Sequence, residues 1–254
     1  MGGAGKTTIL AFRRARRRQT LPTVPDSADR YFAVIPAAGV GSRLGAAQPK
    51  QYLALAGRPM LRWSVDALLA APWIERVVVV VAPDDRRAAP LLAGLSRVEV
   101  MAAGGATRRD SVLAGLRALA GSGAGAGHWV LVHDAARPGL RAADLERLRA
   151  RLAQSPVGGL LAVPVSDTVK RAGEDGRSVA ATLERDRLWL AQTPQMFRLG
   201  PLLDALEAHP AVTDEAAAIE RAGHAPWLVE GGRENFKVTT AEDLELMQRL
   251  LERR

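Results

Sequence analysis

The 254-residue chain has no cysteine, which excludes disulfides and thiolate metal sites and agrees with a reducing compartment. Aromatic residues are scarce, at 4%. Long apolar runs are missing as well: the longest, Val77 to Ala82, is far too short to span a bilayer. The N-terminus lacks the apolar core of a signal peptide, so a cytoplasmic protein without a membrane partner is expected. No repeat of solenoid length is present. None of the four histidines stands in a pattern that would make a nucleophile and base triad.

What is present is ordinary for a folded α/β protein: 48% hydrophobic and 24% charged residues, in a length that suits one large domain. The net charge of +8 is unevenly distributed. Residues 1–30 hold seven cations, among them Arg16, Arg17 and Arg18, against Asp26 and Asp29, so +5 belongs to them and +3 to the rest. Lacking apolar periodicity and ending in Pro22, Pro25, Asp26 and Ser27, they read as a mobile basic extension. The remaining excess suits an enzyme with anionic substrates better than a surface for duplex nucleic acid, which needs a basic stripe. Gly2 to Thr8 reads like the end of a phosphate-binding P-loop, but the first glycine and the preceding strand of that motif are missing.

The most informative stretch runs from Phe32 to Gly45, followed by Pro49-Lys50-Gln51-Tyr52. A β-prone apolar run ends in a loop of small residues, where backbone amides can approach an anion, and two cations follow, Arg43 and Lys50. This is chemistry for a polyphosphate, the alternative being a Gly-rich turn and nothing more. Gly39, Gly41 and Gly45 are spaced one residue too long for the dinucleotide fingerprint, and no strand-borne acid follows about 20 residues on.

Beyond it, strands and helices alternate. A helix is expected from Pro59 to Ala70, a doubly buried strand from Arg76 to Ala82 and another strand from Val98 to Met101. Gly104-Gly105 then precedes a helix whose N-terminus, near Ser111, favours an anion. Gly121 to Gly127 reads as a flexible link. The strand Trp129 to His133 places Asp134 at its carboxyl end, where ligands of open parallel sheets bind, making Asp134 either a magnesium ligand or a turn residue. A helix over Asp144 to Gln154 and a strand over Gly159 to Pro164 follow. The polar stretch 165–190, about a turn at Gly176, reads as a projecting hairpin arm. Short strands are expected at Trp227 to Val229 and Asn235 to Val238, with helices opening at Thr213-Asp214-Glu215 and Thr240. The whole is a doubly wound α/β fold with a mostly parallel sheet.

Together the segments PAAGVGSRLG, PKQY, GGATRRDSVLAGL, VHDAARP, PVSDTVK, LAQTPQMF, TDEAAAIE and ENFKVT resemble, in order, the 2-C-methyl-D-erythritol 4-phosphate cytidylyltransferases of non-mevalonate isoprenoid synthesis. The resemblance covers residues 31–254 and implies a Rossmann-like nucleotidyltransferase sheet, CTP as co-substrate and Mg²⁺ as cofactor. It implies transfer of a cytidylyl group to 2-C-methyl-D-erythritol 4-phosphate with release of pyrophosphate. Arg43, Lys50, Arg185 and Lys237 would be catalytic; Ala37, Ala38, Gly39, Gly105 and Ser111 would line the nucleotide pocket; Asp134 would hold the metal. Thr168, Arg185, Thr193, Thr213 and Lys237 would contact the polyol phosphate, with the arm supplied by the other subunit of a homodimer.

Two features depart from the family: the basic extension, and Ala106, where some members carry an acidic residue. Another cytidylyltransferase, acting on a polyol phosphate such as ribitol 5-phosphate, would look the same in its CTP half. A nucleic-acid-binding protein acting through the Arg-rich extension would lose its function on deletion of residues 1–30, whereas the cytidylyltransferase would keep its turnover.

Overall fold

In the computed structural model, residues 29–39 and 48–254 are described. Arg43, the Gly2 to Thr8 segment and most of the basic extension therefore lie outside the described residues.

The central sheet has seven strands: β1 (Tyr31–Pro36), β4 (Ile74–Val80), β5 (Val98–Met101), β6 (Trp129–Val132), β7 (Gly158–Pro164), β10 (Trp189–Arg198) and β11 (Trp227–Glu230), in the spatial order β11-β7-β10-β6-β1-β4-β5. Only β10 is reversed, antiparallel to β6 and β7; the other neighbours pair in parallel. Two small hairpins complete the strands: β2 (Ala54–Leu55) with β3 (Arg58–Pro59), and β8 (Val169–Ala172) with β9 (Val179–Leu183).

Alternation along the strands divides the core between two faces. Ala33, Ile35, Val77 and Val79 point to the side of α1 (Met60–Leu69), α2 (Ala88–Leu92) and α4 (Ala142–Leu152). Phe32, Val34, Val78 and Val80 point to the opposite side, where they meet α3 (Arg108–Gly121), α5 (Leu199–Ala208) and α6 (Glu215–Arg221). Strands covered on both faces cannot alternate apolar with polar residues, which is why Val77 to Val80 reads as an unbroken apolar run. α7 (Ala241–Leu251) closes a third cluster with Leu55, Met60 and Val238, seating the end of the chain beside the β2–β3 hairpin.

The crossover order reverses at β1: β4 and β5 are laid down on one side of it and β6 on the other. Where the order reverses, two consecutive connections leave in opposite directions and open a crevice beyond the carboxyl ends of the strands. Helix α3 enters that crevice with its N-terminus capped by Thr107, whose hydroxyl accepts from the Asp110 amide while Asp110 accepts from the Thr107 amide.

Two local expectations differ, and one strand goes beyond them. Asn235 to Val238 is not a sheet strand; it is anchored instead by an amide bond from Val238 to the Ala136 carbonyl and by the buried Asn235 side chain. The Gly121 to Gly127 stretch is the end of α3 and a turn with Gly123 at positive φ, as helix termini favour. The segment from Trp189 to Arg198 is one long strand, although Pro194 lies within it; its register with β7 is interrupted between Ala191 and Gln195.

Candidate functional site

A cavity of about 210 Å³ lies in the crevice at the reversal point. The end of β1 supplies Ala37, Ala38 and Gly39; the turn before α3 supplies Gly105 and Ala106; α3 itself supplies Arg108 and Ser111; the end of β6 supplies Asp134. Lys50 and Lys237 close it from segments distant in sequence. All eight of the expected nucleotide, metal and cationic residues that are described on this side are thus brought to one wall.

Small residues here are a steric requirement. A Cβ at Gly104 would lie 2.2 Å from the Ala38 Cβ, and one at Gly105 2.4 Å from the Asp110 Cβ, so the two turns approach as closely as they do only without side chains. The Ser111 hydroxyl accepts from the Gly105 amide at 3.2 Å and donates to the Thr107 carbonyl at 3.2 Å, fixing the turn. Gln51 donates to the Ala37 carbonyl at 2.8 Å, and the Lys50 ammonium donates to the Val238 carbonyl at 3.2 Å.

Asp134 is the electrostatic centre. Its Oδ1 accepts from Arg108 Nε at 2.8 Å, its Oδ2 lies 2.9 Å from Lys237 Nζ, and Arg137 Nε lies 3.7 Å from the same oxygen. Burial alone would raise its carboxyl pKa, but Arg108, Lys237 and Arg137 outweigh burial and hold it well below the usual carboxylate range. Arg108 is opposed in the same way by burial, and Glu215 and Asp134 raise it nonetheless. Asp134 is oriented from behind: its amide donates to the Thr193 hydroxyl at 3.0 Å, which in turn bonds His133 Nδ1 at 3.0 Å, while His133 Nε2 bonds the Arg137 carbonyl at 3.2 Å. With Nε2–H donating to that carbonyl, Nδ1 is left to accept from Thr193, which defines a neutral tautomer. Burial pushes the imidazole down to about 4.

A divalent cation fits this donor set as a partner shared with a ligand. Among the described residues no group of three or more acidic or histidine side chains converges, so a metal would take Asp134 as its protein ligand and complete its shell with phosphate oxygens and water. Each oxygen of Asp134 accepts one bond from a cation and keeps a lone pair for that purpose.

Thr168, Arg185 and Thr213 are exposed and lie outside the cavity wall. Arg185, just after β9, donates to the Ser166 carbonyl across the base of the arm. Thr193 is 4% exposed, with its hydroxyl committed to Asp134 and His133. Reading the sequence did not single out Arg108 or Glu215. One signal existed: a cation in the first turn of α3 opposes the helix dipole, which calls for a carboxylate partner. Glu215, by contrast, sits where the dipole of α6 favours an acid and so looks unremarkable in sequence.

Comparison with known proteins gives the family and the fold. Residues 31–253 match the family model described as 2-C-methyl-D-erythritol 4-phosphate cytidylyltransferase. Relatives of that name from Pseudomonas aeruginosa and Bordetella petrii are 55% and 56% identical, over 86% and 88% of this chain and 95% and 99% of their own. A crystal structure of a 4-diphosphocytidyl-2C-methyl-D-erythritol synthase superposes with a TM-score of 0.79 at 37% identity, covering 89% of this chain and 100% of that one. The Thermus thermophilus enzyme gives 0.70 at 27% identity, covering 86% and 97%. The chain belongs to the 2-C-methyl-D-erythritol 4-phosphate cytidylyltransferase family.

Proposed function

We propose that residues 31–254 form a CTP-dependent cytidylyltransferase that acts on 2-C-methyl-D-erythritol 4-phosphate. The observation that carries this reading is the convergence of Lys50, Lys237 and the Arg108–Asp134 pair on a cavity floored by small residues at the strand-order reversal. Among the described residues, nothing in the site favours ribitol 5-phosphate as the acceptor.

An oxygen of the substrate phosphate attacks the α-phosphorus of CTP in line, the bond from that phosphorus to the β-phosphate bridging oxygen breaks, and pyrophosphate leaves with the electron pair. A phosphate monoester is largely ionised near neutral pH, so no side chain need remove a proton. The protein's contribution is position and charge. Ala37, Ala38, Gly39, Gly105 and Ser111 shape the nucleotide pocket, while Lys50 and, by family resemblance, Arg43 stabilise the charge that spreads over the equatorial oxygens. Lys237 is placed to turn from Asp134 to the incoming polyol phosphate, and Asp134 is the residue that would hold magnesium. Bound there, magnesium supplies charge neutralisation on the phosphate oxygens.

Thr168, Thr193, Thr213 and Arg185 complete the polyol phosphate side, Thr193 by setting Asp134 and Arg185 from the neighbouring subunit of a homodimer. The reading of the arm is supported by exposed Val179 and Leu183 on a two-stranded hairpin, an element of marginal stability by itself. The enzyme works in the cytoplasm and needs neither nucleic acid nor membrane; among the described residues no helix is long and apolar enough to cross one.

The test is pyrophosphate release from CTP with each acceptor in turn. Release with 2-C-methyl-D-erythritol 4-phosphate far above that with ribitol 5-phosphate is expected. Equal release with both, or release without any acceptor, would overturn the substrate assignment.

A further inference from the structure

The Arg108 guanidinium is shared between two carboxylates from different parts of the fold. Its Nη1 and Nη2 donate to the two oxygens of Glu215 at 2.7 and 3.1 Å, and its Nε donates to Asp134 Oδ1 at 2.8 Å. The Glu215 side chain is 1% exposed, so this charge has no solvent to turn to. We propose that Glu215 is a positioning residue for the transfer reaction: by clamping and neutralising Arg108, it keeps Asp134 oriented and receptive to the cation that accompanies the nucleotide phosphates.

Geometry supplies the first argument. Two parallel bonds to one carboxylate fix the plane of a guanidinium, and a fixed plane leaves Nε aimed in a single direction, here at Asp134. The clamp is itself braced. Asp214 caps α6 by accepting from the Ala217 amide at 2.9 Å, and Gln195 on β10 donates to Asp214 at 2.9 Å and accepts from the Ala216 amide at 2.7 Å. Glu215 is thus held against β10, which is paired with β6, the strand that carries Asp134.

Charge supplies the second. Arg108, Lys237 and Arg137 surround Asp134, and three cations about one carboxylate would repel a divalent ion. Glu215 cancels one of them. Once Lys237 turns to a substrate phosphate, the two remaining arginines are balanced by the two acids, and the site can accept a metal with the triphosphate. Without Glu215, Arg108 is also free to swing into the cavity it lines and pair with a phosphate directly. Removing the clamp should therefore weaken the binding of CTP with metal without weakening that of CTP alone, a signature that simple loss of packing does not give.

This role rests on Asp134 as the metal ligand, and titration calorimetry of CTP binding to the full chain, in magnesium and in a chelator, separates the two. Wild-type binding should tighten with magnesium. Glu215→Gln should raise the magnesium concentration needed for half of that effect by about tenfold, as the loss of a group supporting a metal ligand commonly does, with chelated CTP bound as tightly as before or tighter. Should Glu215→Gln fold poorly, Arg108→Gln/Glu215→Gln removes both charges together and should match Arg108→Gln alone in its magnesium requirement. Equal weakening under both conditions, no change under either, or a further loss in the double variant would overturn the clamp. Wild-type binding indifferent to magnesium would overturn the metal assignment and the clamp together.

Discussion

At the scale of single residues, the site is organised by charges that the fold prevents from relaxing. Asp134 stays ionised because Arg108, Lys237 and Arg137 face it, and its backbone is set by Thr193 and His133. His133 gives this arrangement a dependence on pH. Burial holds its folded value at about 4, against about 6.5 in an unfolded chain, so between those limits the unfolded chain binds a proton that the folded one refuses. The stability contributed by the neutral ring is complete above about pH 6.5 and declines as the pH falls towards 4, by roughly 1 kcal/mol at pH 5.5. Carboxylates with depressed values, such as Asp243 and Glu234, lose their contribution only at lower pH, below their unfolded values. Denaturant midpoints measured at pH 7.5 and 5.5 should fall more for the native chain than for His133→Gln. Equal falls would show that the ring is not held neutral.

At the scale of elements, α3 carries the most information, because it both packs the core and presents its N-terminus to the site. It lies against β1 through Gly115, where a Cβ would stand 2.6 Å from one Val34 methyl and 3.1 Å from a Val80 methyl. Alanine in place of glycine in a helix interior gains about 1 kcal/mol of propensity. Overpacking two buried, stiff valines costs about 1–3 kcal/mol. The cost should prevail, so Gly115→Ala is expected to lower the melting temperature, whereas Gly121→Ala, with nothing within 4 Å of its Cβ, should leave it unchanged or raise it. A melting temperature that rises in Gly115→Ala would mean that α3 does not sit as closely on β1 as described. Local signals reveal such elements well: the apolar run of β4, the capping pattern at Thr240 and the turn at Gly176 can each be read from neighbouring residues. What neighbours do not reveal is partnership across the chain. The family resemblance implies a ligand contact for Thr193, and only the pairing of β10 with β6 places its hydroxyl under the amide of Asp134. The Arg108–Glu215 pair joins residues 107 positions apart, and Asn235 to Val238 imitates a strand because it is held extended by other means.

At the scale of the whole molecule, the doubly wound order was legible because strands and helices alternate in sequence, and the ligand crevice follows from where that order reverses. The reversed direction of β10 was not legible, since direction depends on which strands it meets and not on its own residues. The β8–β9 arm stands away from the central sheet with Val179 62% exposed, and the proposed homodimer would give that exposed face a partner. Val179→Asp should therefore reduce both the mass observed by light scattering and the turnover, because Arg185 would no longer reach its neighbour's site. A monomeric native chain with full activity would refute the shared site.

The central claim is that positioned cations, with no general base, carry the transfer, and it is tested most directly by single-turnover pyrophosphate release from CTP and 2-C-methyl-D-erythritol 4-phosphate. The native chain should release pyrophosphate in step with formation of the cytidylyl product. Lys50→Ala, with an unchanged melting temperature, should be slower by about 10²–10³-fold, the effect of removing one donor of charge stabilisation. Release by Lys50→Ala at the native rate would contradict the account.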